Sequence, residues 1–199
     1  MTNPVNQELK QRRSIYALGK NVSQTPAQIS ETIKEAIRQS PTAFNSQTVR
    51  AVITFGENSD RVWDIVEAEL KKVTPADRFP ATQEKIASFR AGFGTILYFT
   101  ETQTVHKLEA DFPLYAANFA NWAEQGLGGA QQAVWTALAT ENIGASLQHY
   151  NPLIDEKIKE AFDIPESWEL RAQMPFGSIE APAGEKEFLP DDVRFKIFE

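Results

Sequence analysis

The chain has 199 residues, with 20 Lys and Arg against 27 Asp and Glu, a net charge of −7 and 42% hydrophobic residues, which fits one globular domain with an ordinary core. It has no cysteine, which excludes a disulfide framework, a thiolate metal site and a cysteine nucleophile and fits a reducing cytoplasm. The acidic balance argues against nucleic acid as the partner, and no apolar run or N-terminal apolar core signals a membrane span or an export signal.

Residues 4–12 read as a short polar helix. Thr25-Pro26-Ala27-Gln28 is a helix start, with Thr as cap, Pro in the first turn and Gln three residues on. Ile29, Ile33, Ala36 and Ile37 then form one apolar face, and Ser40-Pro41 ends the helix. Val49 to Phe55 is a buried strand, and residues 59–73 are an amphipathic helix carrying Val62, Trp63, Val66 and Leu70. Pro75 to Pro80 is a loop, 81–91 a helix, and Thr95 to Phe99 a second buried strand. Residues 113–141 read as two helices separated at Gly126, Gly128 and Gly129, with a stop at Asn142-Ile143-Gly144. Ala145 to Tyr150 is a short strand or strand-to-loop segment, and Asn151-Pro152 opens a helix to about Phe162. Leu170, Ala172, Met174 and Phe176 alternate as in a strand. Residues 177–191 form an extended arm, and Val193, Phe195 and Ile197 alternate as a last strand that returns to its own sheet or joins that of another subunit. Strands alternating with helices give an α+β or α/β fold in one layered domain, residues 1–199.

Catalytic constellations are scarce. The two histidines, His106 and His149, lack metal-ligand spacing, so no metal site is expected. The pairs Glu67/Glu69, Asp155/Glu156 and Asp191/Asp192 read as solvated faces, there is no Gly-x-Ser-x-Gly elbow, and neither Gly92-Phe93-Gly94 nor Gly126-Leu127-Gly128-Gly129 has the dinucleotide context. Two segments stand out. Arg12-Arg13-Ser14, in an N-terminus where Lys10 and Lys20 face only Glu8, is either a solvated basic helix end or a phosphate site, since guanidinium and hydroxyl both bond phosphate oxygens. Ser40-Pro41-Thr42-Ala43-Phe44-Asn45-Ser46-Gln47, between a helix and a buried strand, is either a plain turn or a pair of amides for a heterocycle edge that alternates donors and acceptors.

Taken together, Arg12-Arg13-Ser14, the segment 40–47, Ile96-Leu97-Tyr98-Phe99, Ile143-Gly144 and a closing arm with Lys and Arg resemble, in that order, the nitroreductase family of FMN enzymes. The likeness covers essentially the whole chain. Arg12-Arg13-Ser14-Ile15-Tyr16-Ala17-Leu18 and Ser146-Leu147-Gln148-His149-Tyr150-Asn151-Pro152 are similar to a small subgroup related to fungal fatty-acid-repression-mutant proteins and bacterial inducible nitroreductases. The resemblance implies an α+β fold with a mixed central sheet flanked by helices, and an intertwined homodimer whose C-terminal arms are exchanged, with FMN between the subunits. It implies that Arg12 and Ser14 bind the FMN phosphate with Arg13 close by, and that Thr42, Ala43, Asn45 and Gln47 approach from the other subunit. Gln83 and Lys85 would meet the pyrimidine edge, Leu147, Gln148 and His149 one ring face, and Lys186 or Arg194 would complete the phosphate site. Electrons would pass as hydride from NADH or NADPH through the flavin to a nitroaromatic or quinone. Phe44, Phe119, Trp122 and Tyr150 are either slot-lining or core aromatics. Tyr16 departs from the family, many of whose members carry a cation there; it offers a hydrogen bond but no charge to the flavin N1/O2 edge. The departure leaves open a flavin-binding regulatory or stress-response protein with incidental reductase activity, and a non-flavin binding protein is the third reading.

Overall fold

A computed structural model describes residues 3–199. Helix α1 (Pro4–Gln11) begins at Asn3, whose side chain accepts from the Val5 N–H. A short β1 (Leu18–Gly19) leads to α2 (Pro26–Gln39), which starts with the reciprocal Thr25/Gln28 capping box that the sequence spells out. Next come β2 (Val49–Phe55), α3 (Glu57–Val73) and α4 (Phe79–Arg90). Helix α4 includes Pro80 in its first turn, where no N–H is needed, so the expected loop ends two residues early. The central strand β3 (Gly94–Glu101) runs directly into α5 (Thr102–Asp111).

A single 25-residue helix, α6 (Ala116–Thr140), replaces the two helices expected in this region. Each interior glycine costs about 1 kcal/mol against alanine. Seven buried side chains, from Phe119 to Leu138, outweigh that cost by packing the helix on the sheet, α2 and α5. The chain continues through β4 (Gly144–Ala145), α7 (Asp155–Phe162), β5 (Trp168–Ile179) and a one-turn α8 (Asp191–Arg194). Helix α7 begins three residues after the expected Asn151-Pro152 opening, and β5 runs to Ile179, so the extended arm begins beyond the expected residue 177.

Every strand pairing in the sheet is antiparallel, in the order β1-β5-β3-β2, with β4 on β5. The mixed character expected of the sheet is confined to one isolated parallel bridge, Ser14–Ala145. Alternation along β3 sends Ile96 and Tyr98 to one core cluster and Leu97 and Phe99 to the other. The first cluster packs α2 and α6 on the sheet, and the second packs α3, α4 and α7 on the opposite face. A bulge shifts register at Tyr98/Phe99, so Leu170 faces the second cluster while Ala172, Met174 and Phe176 face the first; they do not share one face as simple alternation suggests.

In the single chain the expected last strand does not return to its own sheet. Residues 191–194 make a helical turn that bonds Phe195 N–H to the Asp191 carbonyl, and residues 195–199 pair with no strand. Asp191 and Asp192 favour a helix start after Pro190, and an alternating pattern without a ladder partner stays unpaired. No helix is long and apolar enough to cross a membrane among the described residues.

Candidate functional site

The first candidate cleft is built where the chain enters and leaves the sheet. Leu18 and Gly19 pair with Ile179 and Ser178, and Glu180 N–H donates to the Ala17 carbonyl at 3.0 Å. This register lays residues 12–16 beside the start of the arm. Arg12 stands as the C-terminal cap of α1, with its N–H on the Glu8 carbonyl at 3.0 Å. Ser14 bridges to Ala145, and Ile15 N–H donates to the Ala145 carbonyl at 2.9 Å.

Trp135 ties this corner together. Its indole N–H donates to the same Ala145 carbonyl at 3.1 Å, and the Arg12 guanidinium lies 4.6 Å from a Trp135 ring centroid. The Arg12 Nε is buried and has no hydrogen-bond partner. Burial, and secondarily the neighbouring Arg13 charge, lower the Arg12 pKa, so an anion placed here would relieve a cost the fold carries. Arg13 donates to the Gly184 carbonyl at 2.7 Å and pins the arm over the cleft. The cleft encloses about 570 Å³, and its lining includes Arg12, Arg13, Ser14, Tyr16 and Lys186. Lys186 is therefore the arm cation that reaches this cleft, whereas Arg194 lies on α8 beside its own Phe195 ring.

The second cleft is organised by shape. Thr42 receives Gln47 N–H on its hydroxyl at 2.9 Å and Asn45 N–H on its carbonyl at 3.0 Å. Those bonds fold residues 42–47 into a knot with φ of 58° at Phe44, 48° at Asn45 and 49° at Gln47. A bulky residue rarely adopts positive φ, and such strain gathers at functional sites. Phe44 is 52% exposed, yet four rings surround it. Its centroid lies 5.0 Å from Phe112, 5.3 Å from Phe119 and 6.2 Å from both Tyr115 and Trp122. A Cβ on Gly126 would stand 3.1 Å from the Thr42 methyl, so glycine lets the knot rest on α6. The cleft encloses about 590 Å³ between residues 41–44 and Trp122, Gln125, Gly126 and Gly129. The side-chain amides of Asn45 and Gln47 are exposed, with no hydrogen-bond partner among the described residues.

The remaining candidates fall elsewhere. Gln83 and Lys85 are exposed on α4 and line neither cleft; Gln83 donates to Glu67 at 2.7 Å, and Lys85 sits 6.0 Å from the Phe89 ring. Gln148 is buried, exchanges backbone bonds with Gln173 and turns its amide to Ser146. Leu147 packs against the first core cluster, and His149 is exposed. Tyr150 is a core aromatic, 6.2 Å from Trp63, and burial pushes its phenol up to about 12. Glu67 is not a solvated carboxylate, because it holds Arg90 at 2.7 Å together with Gln83. No cluster of three or more His, Cys, Asp or Glu suited to a metal occurs among the described residues. Trp135, Phe112 and Tyr115 escaped the sequence reading, because a tryptophan on a helix face or an aromatic in a loop carries no motif.

An antiparallel sheet between helical layers, with its last strand leading an arm back over an Arg-Arg-Ser corner, defines an α+β oxidoreductase of nitroreductase-like fold. The chain belongs to the Nitroreductase family, whose model matches residues 9–178. HBN1 of Saccharomyces cerevisiae is 42% identical over 188 residues, or 93% of each chain. Nitroreductase CinD from Lactococcus lactis, solved in complex with nicotinic acid, is 52% identical, with a TM-score of 0.92 over 98% of this chain and 100% of CinD. A Desulfovibrio desulfuricans protein solved in complex with FMN shares the fold at 18% identity, with a TM-score of 0.73 over 100% of both chains.

Proposed function

We propose that the chain is an FMN-dependent oxidoreductase that takes electrons from NADH or NADPH and delivers them to a nitroaromatic or quinone acceptor, as a cytoplasmic homodimer. The observation that carries this reading is Arg12: a half-buried guanidinium, stacked on Trp135, with an unpartnered Nε in a cleft that also holds Ser14 and Lys186. A phosphate monoester fits that donor set, since it accepts charge-assisted bonds from guanidinium, hydroxyl and ammonium at once. FMN, when bound, supplies the two-electron chemistry that no side chain of this chain offers.

In this reading Arg12 and Ser14 bind the phosphate, Arg13 lies beside it and holds the arm, and Lys186 closes from the arm. Thr42 and Ala43 of a second copy shape the wall, while Asn45 and Gln47 offer amides to the ring edge, with Leu147 and His149 near one face. Two facts support a two-copy site. The two clefts of one chain share no lining residue. The arm exposes Phe188, Leu189, Val193, Phe195, Ile197 and Phe198, an apolar load that a second copy would cover. The rings around Phe44 offer a flat acceptor an aromatic wall to lie against, and CinD is solved in complex with a flat molecule of this kind, nicotinic acid. Tyr16 presents a hydroxyl and no charge to the cationic cleft.

A visible spectrum of the protein with FMN, under nitrogen, tests this reading. We expect a bound-flavin spectrum that bleaches promptly with NADH or NADPH and returns with an acceptor. Bound flavin that stays oxidised moves the protein to the flavin-binding regulatory reading that Tyr16 supports. Flavin that is not retained overturns both. Sedimentation of a flavin-loaded monomer overturns the shared site.

A further inference from the structure

Strand β5 carries one side chain that the packing of the sheet does not explain. Gln173 stands opposite Leu97, a member of the second core cluster, and is 0% exposed. Its Nε2 is buried and has no hydrogen-bond partner among the described residues. A buried donor without a partner costs free energy that a leucine of similar volume would not. The compensation lies at the other end of the amide, where Gln173 Oε1 accepts the Tyr150 N–H at 2.8 Å.

The same residue also holds the segment by its backbone. Gln148 N–H donates to the Gln173 carbonyl at 2.8 Å, and Gln173 N–H donates to the Gln148 carbonyl at 2.9 Å. Residues 146–150 therefore make three bonds to this one residue of β5. Their other bond to the strand, from Ser146 N–H to the Pro175 carbonyl, is long at 3.3 Å. His149 lies between the two fastened positions, Gln148 and Tyr150. Its side chain is exposed, and its N–H has no hydrogen-bond partner among the described residues, nor has that of Leu147. One buried amide thus fixes the backbone on both sides of a position whose own donor is free.

We propose that Gln173 is a positioning residue for the reductase reaction, which holds the 147–149 wall at a fixed distance from the flavin ring. The proposal rests on the flavoenzyme reading, in which that wall meets one ring face. Hydride transfer needs the reacting atoms about 3–3.5 Å apart, and a misplacement of about 1 Å can cost about 100-fold in rate. A wall fastened on both sides of His149 limits such drift, and one fastened at Gln148 alone does not.

Gln173→Leu tests it, because it removes the acceptor, keeps the volume and leaves both backbone bonds to Gln148 available. Gln173→Met, whose sulfur accepts only weakly, serves if the leucine variant does not fold. In the protein without flavin, hydrogen exchange at the Tyr150 amide should become at least about fivefold faster. In the FMN-loaded protein, stopped-flow reduction of the flavin by saturating NADH or NADPH should become at least about tenfold slower. FMN affinity should stay within about threefold, since the cleft at Arg12 is lined by none of residues 146–150 and not by Gln173. Unchanged exchange overturns the proposal. Faster exchange with an unchanged reduction rate, or with FMN affinity lost in step with the rate, also overturns it and leaves Gln173 a purely structural residue. Wild-type protein that retains no flavin, or whose flavin stays oxidised with both donors, overturns the flavoenzyme reading and the role at the ring with it. That failure is distinct from a failed anchor, because amide exchange reads the anchor without flavin.

Discussion

Around Arg12 the chain gathers charge that it does not neutralise, whereas around Phe44 it gathers aromatic surface that it does not bury. The first region is held by ordinary means: a helix end, a sheet register and one tryptophan that serves two partners. The second is held by three left-handed residues in a row of four, tied to one threonine and seated on a glycine. A charged site tolerates a loose wall, because attraction falls off slowly with distance. A site that selects by shape does not, because a gap of about 0.5–1 Å already forfeits a quarter to a half of a dispersion contact. The difference explains why backbone strain sits at the uncharged cleft.

The largest expected effect breaks the charged region alone. Arg12→Ala should weaken FMN binding about 100-fold, since bonds to a charged group are worth about 1.5–3 kcal/mol each. Quenching of flavin fluorescence during titration measures it, and a change below about threefold would remove Arg12 from the phosphate site. Trp135→Leu comes next. It deletes the N–H that bonds the Ala145 carbonyl and the ring beneath Arg12. We expect a stability loss of about 2 kcal/mol by chemical denaturation and FMN binding weakened about tenfold. Unchanged flavin affinity in a destabilised variant would make Trp135 a packing residue with no part in positioning Arg12.

The two regions were unequally legible in the sequence. Arg12-Arg13-Ser14 was visible in the sequence but open between a solvated basic helix end and a phosphate site, and its partner in the cleft, Lys186, sits some 170 residues away and only the β1–β5 register brings it near. The Thr25 capping box and strand β2 were legible because local rules alone decide them. Helix α5 was not: Val105 is its only buried residue, so it shows no apolar period, and Glu101 rather than a helical pattern fixes its start. Three glycines broke α6 on paper, yet propensity lost to the packing of one long face. Gln83 and Lys85 were placed by family order; in the fold both stand on α4, where Gln83 donates to Glu67 of α3.

Smaller effects sharpen the shape side of the comparison. Phe44→Ala should leave FMN affinity within about threefold and raise KM for an aromatic acceptor about tenfold, because it removes the ring that Phe112, Phe119, Tyr115 and Trp122 surround. Steady-state kinetics with a nitroaromatic and with a small non-aromatic oxidant separates the two roles; an equal loss with both would mean that the ring supports the flavin site and does not select the acceptor.

The smallest effect isolates the strain itself. At φ 58° an alanine keeps the steric conflict between its Cβ and the backbone, and a glycine does not. Phe44→Gly should therefore be more stable than Phe44→Ala by about 1 kcal/mol, although glycine loses more chain entropy on folding. Both variants lack the ring, so the difference between their denaturation midpoints reports the backbone alone. If alanine proves the more stable, the knot at residues 42–47 relaxes once the ring is gone, and the ring packing rather than the Thr42 hydrogen bonds holds Phe44 in its left-handed conformation.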